Sequence, residues 1–166
     1  MAVRTIRIMG DPILEKKSRM VEEMTPKIAE LIEDMFDTMH EQNGVGLAAP
    51  QVGVLKRIFV VNLKDYMEDG EERVFINPKV IKTDGEQTGD EGCLSLPGKS
   101  GVVTRPDWVK ITALDENMQS FTIEGDALMA RALMHENDHL DGILYTQFVE
   151  GELKDNLVMD EEEDEY

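Results

Sequence analysis

The sequence predicts an α+β fold with mostly antiparallel strands. Three observations carry this. An apolar pattern of helical period follows Thr25-Pro26, several short β-branched segments fill the middle of the chain, and a second helical stretch runs up to Gly142. The order of helix, many short strands, then helix differs from the strand–helix alternation of a parallel sheet.

Residues 1–24 read as an extended or irregular arm, in which Asp11-Pro12 marks a turn or helix start. Thr25 caps the first helix and Pro26 occupies its first position, where the missing N–H costs nothing. Ile28, Leu31, Ile32, Met35 and Met39 follow the i, i+3, i+4 spacing of one buried face. Asn43-Gly44 supply a left-handed stop. Residues 57–62, Arg-Ile-Phe-Val-Val-Asn, read as a buried strand. Residues 74–77 and 79–83 flank Pro78, which predicts a break or a sheet edge. Residues 102–105, 109–114 and 120–124 read as further strands, with turns at Pro106-Asp107 and 115–117. The second helix is expected from Gly125 or Asp126 to Leu140, with Gly142 ending it.

The chain has 166 residues, which fits one domain, expected over 1–155. The formal net charge is -18 and the isoelectric point about 4.4. Six of the acids are consecutive, residues 160–165; without those six the body still carries -12. Residues 156–166 are expected to be an acidic, solvated and disordered tail. An acidic body argues against a broad basic surface for nucleic acid, so no direct DNA partner is expected. The lone cysteine, Cys93, excludes an intrachain disulfide. No apolar run reaches the ~18 residues of a membrane span, and the first 30 residues hold no signal-like stretch. A cytoplasmic protein with no membrane partner is the expectation.

The chemistry concentrates in residues 135–139, His-Glu-Asn-Asp-His. A spacing of four on a helix puts both imidazoles on one face, one turn apart, where they can share a metal ion. Glu136, beside the first of them, can then act on a water bound to that ion. The bland alternative is a surface helix with two chance histidines, yet the whole chain holds only three. A catalytic site of this type takes three protein ligands and leaves one position for water. Downstream of His139 there is no histidine, but acids such as Glu150 and Glu152 occur, so a peptidase with a downstream acidic ligand stays open. Upstream, Cys93 stands in Glu91-Gly92-Cys93-Leu94-Ser95. Alone it reads as a buried inert thiol; beside the histidine pair its thiolate becomes the favoured third ligand. A non-catalytic metal-binding module also stays open, although no fourth ligand is evident. Residues 44–51, Gly-Val-Gly-Leu-Ala-Ala-Pro-Gln, would by themselves be an ordinary helix-to-strand loop.

Taken together, residues 44–51, 91–95 and 135–142 resemble the peptide deformylases, in that family's order and spacing. Outside these motifs the likeness is diffuse and spans residues 3–150. The resemblance implies antiparallel β-sheets, three in number, packed around a central helix that carries the histidine pair. It implies removal of the formyl group from polypeptides that begin with formyl-methionine. Cys93, His135 and His139 would bind one divalent ion, with Fe(II) usual in the cell and Zn, Ni or Co able to replace it. Glu136 would be the general base and then the general acid, and the Leu94 N–H and Gln51 amide would receive the oxyanion charge. Val45 and Gly46 would align the substrate backbone as an added strand.

Leu128, Arg131 and Ala132 precede His135 by seven, four and three residues and so share its face. The resemblance makes this face part of the methionine slot; Leu128 fits a plain core position equally well. The expectation for Arg131 is a packed aliphatic stem with its guanidinium in solvent. Glu91, Arg105 and Asp138 are candidates for ion pairs holding the cysteine loop against the histidine helix. His40 ends the first helix, where a cation suits the dipole, and is not expected to ligate. Nascent N-formylmethionyl chains are the implied partner. Some members of the family dock on the ribosome through a basic C-terminal helix; the acidic end of this chain would be repelled by RNA phosphates, so docking there is not expected.

Overall fold

The computed structural model describes residues 2–64 and 70–155. The tail over 156–166 therefore lies outside the described residues. Helix α1 (Pro26–Glu41) starts as the sequence predicts: Thr25 Oγ1 accepts from the Ile28 N–H at 3.2 Å. Asn43, with φ 53°, turns the chain out of it. Three residues later comes β1 (Gly46–Ala48), then a 3₁₀ turn over Ala49–Val52 and β2 (Ile58–Asn62). Strands β3 (Glu72–Asp84), β4 (Gln87–Cys93), β5 (Leu96–Arg105), β6 (Trp108–Leu114) and β7 (Ser120–Asp126) follow. Helix α2 (Ala127–Leu140), a 3₁₀ turn over Tyr145–Phe148 and β8 (Val149–Asp155) complete the described chain.

All strand pairs between these elements are antiparallel. One sheet has the order β1-β2-β3-β6-β7 and the other β4-β5-β8. The described residues thus form two sheets where the family resemblance implies three. The long strand β3 explains the difference. Its first part, to Ile76, pairs with β2, and its later part pairs with β6, with register shifts between Ile76 and Lys79. Pro78 sits at that irregularity, and Asn77 takes a left-handed φ of 50°. The sequence reading of a break or an edge at Pro78 is therefore corrected: β3 is one central strand, and a bulge absorbs the proline.

The half of the sheet nearest the site is buried on both faces. Along β2, Ile58 and Val60 join the core under α1, while Phe59 and Val61 join the core under α2. Along β3, Val74 and Ile76 face the first core and Phe75 the second. Period-two alternation between two apolar cores makes these strands read as continuous hydrophobic runs.

The C-terminal end of α2 is pinned from outside. Leu140 O accepts from the Ser18 N–H at 2.8 Å and from Arg57 Nη1 at 3.0 Å, and Arg57 Nη1 also reaches Asp141 Oδ1 at 3.0 Å. These satisfy carbonyls that a helix end otherwise leaves open. Gly142 turns the chain with φ +73°, and a Cβ there would meet the Glu15 carbonyl at 2.5 Å. No helix among the described residues is long and apolar enough to cross a membrane.

Candidate metal centre

Helix α2 buries a cluster of titratable side chains. His135, Glu136 and His139 are 6%, 6% and 1% exposed. Their partner is the end of β4, where Cys93 is brought to the helix. His139 Nε2 lies 3.3 Å from Cys93 Sγ and 3.2 Å from His135 Nε2. These three form a group whose ligand atoms all lie within 4.8 Å of one another. An ion bonded at about 2.0–2.3 Å in tetrahedral geometry sets its donors about 3.3–3.7 Å apart, so the spacing suits one ion. One thiolate and two imidazoles also form a donor set for a borderline divalent metal. Glu150 and Glu152 stand exposed on β8, where Glu150 Oε2 accepts from Thr104 Oγ1; neither belongs to this group.

Glu91 organises the surroundings. Its carboxylate accepts from Arg105 Nη2 at 2.6 Å and Nε at 3.1 Å, from Arg131 Nη1 at 2.9 Å, and from His135 Nδ1 at 2.6 Å. Arg105 Nη1 also bonds Asp138 Oδ2 at 2.5 Å. The predicted link between cysteine loop and histidine helix is thus present. The contact from Glu91 to His135 is a feature the sequence reading missed. It fixes the imidazole so that Nδ1 donates and Nε2 faces the cysteine. The signal available was position alone: Glu91 stands two residues before Cys93.

Arg131 corrects the sequence reading. Its guanidinium is not in solvent: the residue is 7% exposed, with Nη1 on Glu91 and Nη2 on the Val103 carbonyl at 3.0 Å. Arg105 divides its donors between Glu91 and Asp138, and Arg131 gives Glu91 a second guanidinium. Leu128 is likewise no core residue, being 61% exposed at the mouth of the cavity. His40 pairs with Glu72 and takes no part in the centre.

The electrostatics favour a positive charge between these groups. Burial pushes the Glu91 carboxyl up, but the bonds from His135 and Arg105 outweigh it and hold the carboxyl at about 2. Burial opposes charge on His135, yet Cys93 and Glu91 hold its pKa up at about 10. The adjacent His139 is pushed well below its usual value, by burial and then by His135. The pair therefore accommodates one cationic charge, and a divalent ion would take the place of that proton. Burial raises Glu136 to about 7. Glu136 Oε1 and His139 Nδ1 are buried without hydrogen-bond partners among the described residues.

Glu136 lies against β1 so closely that a Cβ on Gly46 would meet its Oε2 at 2.7 Å. A larger residue there would have to displace the Glu136 side chain. Gln51 is 1% exposed; its Oε1 accepts from the Ala48 N–H at 2.9 Å, and its Nε2 donates to Ser95 Oγ at 3.0 Å and lies 3.5 Å from Cys93 Sγ. Ser95, also missed in the sequence, thereby orients the amide. A cavity of about 520 Å³ joins these parts. Gly46, Gln51, Glu91, Cys93, Leu94, His135 and Glu136 line it, as do Val45, Leu128, Arg131 and Ala132; of the residues proposed to touch metal or substrate, His139 alone does not border it.

Comparison with known proteins places the chain among others of one kind. Residues 3–154 match the polypeptide deformylase family. The peptide deformylase of Lachnoclostridium phytofermentans is 60% identical over 99% of this chain and 100% of its own length. That of Agathobacter rectalis is 57% identical over 98% and 100%. Among solved structures, peptide deformylase from Legionella pneumophila superposes with a TM-score of 0.84 at 39% identity, covering 89% of this chain and 86% of that one. The Ehrlichia chaffeensis enzyme in complex with actinonin gives 0.85 at 37% identity, covering 90% of each.

Proposed function

Because this chain belongs to the peptide deformylase family, it is a metal-dependent hydrolase that removes the N-terminal formyl group of nascent polypeptides, and we propose that Cys93, His135 and His139 hold its ion while Glu136 moves the protons. The observation that carries this assignment is one juxtaposition: three ligand atoms within 4.8 Å, beside a buried carboxylate with an unpartnered oxygen.

When bound, the ion supplies a Lewis acid that activates water near neutral pH. The remaining work falls to side chains and backbone. Glu136, with its pKa near 7, takes the proton of the attacking water and delivers it to the departing amine. As charge develops on the formyl oxygen, the Gln51 Nε2–H on the Cys93 side and the Leu94 N–H receive it. Ser95 keeps that amide in place, so the donor needs no reorganisation during the reaction. Val45 and Gly46 align the substrate backbone, which leaves downstream sequence free to vary. The methionine side chain lies against Leu128, Ala132 and the stem of Arg131. The Arg131 guanidinium serves Glu91, and through it His135, instead of meeting substrate.

Fe(II) is the ion we propose in the cell, with Zn, Ni or Co able to take its place, since the donor set suits all four and supply decides among them. The substrate puts the working site in the cytoplasm, at the emerging chain. We propose only a transient meeting with the ribosome, not one made through the acidic C-terminus. The test is chelation followed by re-addition of Fe(II) or Ni(II), read as metal content and formate release from formyl-Met-Ala against acetyl-Met-Ala. Formate release is expected to vanish and return with the metal, and the acetyl peptide to stay intact. Full turnover by metal-free protein would overturn the proposal.

A further inference from the structure

The arm over residues 2–9 belongs to neither sheet, so its backbone finds its partners elsewhere. Four of its N–H groups go to two places. Near its start, Ala2 N donates to Asp34 Oδ1 at 2.7 Å and Arg4 N to Thr38 Oγ1 at 2.8 Å. Near its end, Arg7 N donates to Gln51 O at 2.7 Å and Met9 N to Ser95 O at 2.8 Å. Within each pair the donors are two residues apart, the spacing at which an extended chain points to one side. The arm thus ties helix α1 to both residues that set the oxyanion amide: Gln51 carries it, and Ser95 Oγ takes its N–H.

The α1 end of this tie is a built anchor. Asp34 and Thr38 stand one turn apart on α1 and are 3% and 0% exposed. Asp34 Oδ2 also accepts from Arg4 Nε at 2.9 Å. The Thr38 hydroxyl donates to the Asp34 carbonyl at 2.7 Å, which leaves its oxygen to accept from Arg4 N. Apolar side chains would serve packing equally well at these two positions, because a buried ion pair brings little net stability. What a carboxylate and a hydroxyl add is direction. The other end needs such support, since Gln51 sits in a 3₁₀ turn of only four residues, Ala49–Val52.

We propose that Asp34 and Thr38 are positioning residues for the reaction: by anchoring the arm at Ala2 and Arg4 they hold the Gln51 and Ser95 carbonyls, and so keep the Gln51 Nε2–H aimed beside Cys93. The inference rests on the reading of Gln51 as an oxyanion donor. Such a donor is effective only when it is in place before the charge develops. A displacement of about 1 Å in a group of this kind can cost about 10²-fold in rate, even when its cause lies far from the chemistry.

The experiment measures kcat and KM for formyl-Met-Ala, bound metal, and amide hydrogen exchange at Arg7 and Met9. The chains are the parent, T38V, D34A, T38S, Q51A and T38V/Q51A. In T38V and D34A the two amides should exchange faster and kcat should fall about tenfold, with KM and bound metal unchanged. T38S keeps the hydroxyl and should behave as the parent. Once Q51A has removed the amide, adding T38V should cost nothing further. An unchanged kcat in T38V and D34A overturns the proposal. So does a tenfold loss repeated in the Q51A background, which would mark general destabilisation, or a loss of metal alongside kcat. Where D34A does not fold, T38V and T38S decide alone. A Q51A chain as fast as the parent would instead sink the oxyanion role of Gln51, and exchange at Arg7 and Met9 would still show whether Thr38 ties the arm.

Discussion

Helices α1 and α2 have similar lengths, 16 and 14 residues, and pack on opposite faces of the same strands, yet they bury different chemistry. Toward its core α1 turns Leu31, Ile32, Met35 and Met39. Helix α2 turns Met129, Ala130, Leu133 and Leu140 to its core, Arg131, His135 and His139 to Glu91 and Cys93, and Glu136 to Gly46 of β1. Each buried polar group left unpaired costs about 1–3 kcal/mol, and more if charged. Folding alone explains the stripe on α1. It does not explain the second stripe on α2, which is tolerable only because Glu91 accepts four bonds and the histidines face a thiolate. Helix α1 also buries one acid, Asp34, but that carboxylate is taken up by the Ala2 N–H and Arg4 of the N-terminal arm, whereas the buried groups of α2 face one another and a thiolate.

The largest effect should come from removing the thiolate. Cys93→Ala leaves two imidazoles, an incomplete site, and is expected to reduce both bound metal and turnover to background. One tightly held metal per chain in that variant would show that Cys93 is not a ligand. Next comes Glu136→Gln, which keeps size and ligands but removes the base. Turnover should fall by about 10²-fold or more, with metal content and peptide affinity unchanged. Near-normal turnover with metal bound would remove Glu136 from the mechanism.

A matched pair of substitutions sharpens the contrast between the helices. Glu91→Gln takes the carboxylate from His135, Arg105 and Arg131, and metal affinity should drop about 10–100-fold. Met35→Ala, in the core under α1, should cost about 2–5 kcal/mol of stability and leave metal affinity alone. Acid adds a second reading. The folded pKa of Glu91, about 2, lies below its ordinary 4.5. Its contribution to stability is therefore full above pH 4.5 and is lost as pH falls toward 2. Acid unfolding of metal-free protein should show that slope, and Glu91→Gln should flatten it; an unchanged slope would mean that other carboxylates carry the acid sensitivity.

Both helices were legible in the sequence from local signals, the Thr25 cap and apolar period of α1 and the histidine spacing and Gly142 stop of α2, although α2 starts at Ala127, where Gly125 and Asp126 still belong to β7. The strands that were not legible share one property: β1 is three residues of a Gly- and Ala-rich stretch, β4 is Gln-Thr-Gly-Asp-Glu-Gly-Cys, and β8 is polar and almost wholly exposed. Backbone pairing with a neighbour makes them strands, and pairing leaves no periodic trace. The site divides along the same line. The residues proposed to meet the ion form contiguous motifs, whereas Arg131 meets Glu91 forty positions away in sequence. A lone arginine on a helix face reads as reaching for water unless its acid partner is known to fold against it.

The smallest effect is expected where α2 has no influence at all. Strand β8 is held to β5 by backbone pairing, and at its end the Lys99–Asp155 ion pair, at 3.6 Å, is about half exposed on both sides and worth little. Truncation after Asp155 removes the six acids at 160–165 and leaves every described contact among Cys93, His135 and His139 in place. Turnover on a small substrate such as formyl-Met-Ala should therefore match the full chain if the acidic run only solvates. The measurement is kcat/KM for both chains at low and high salt. A large loss at both salt concentrations would mean that residues 156–166 pack on the body or the site, and that what the acidic run does is not solvation.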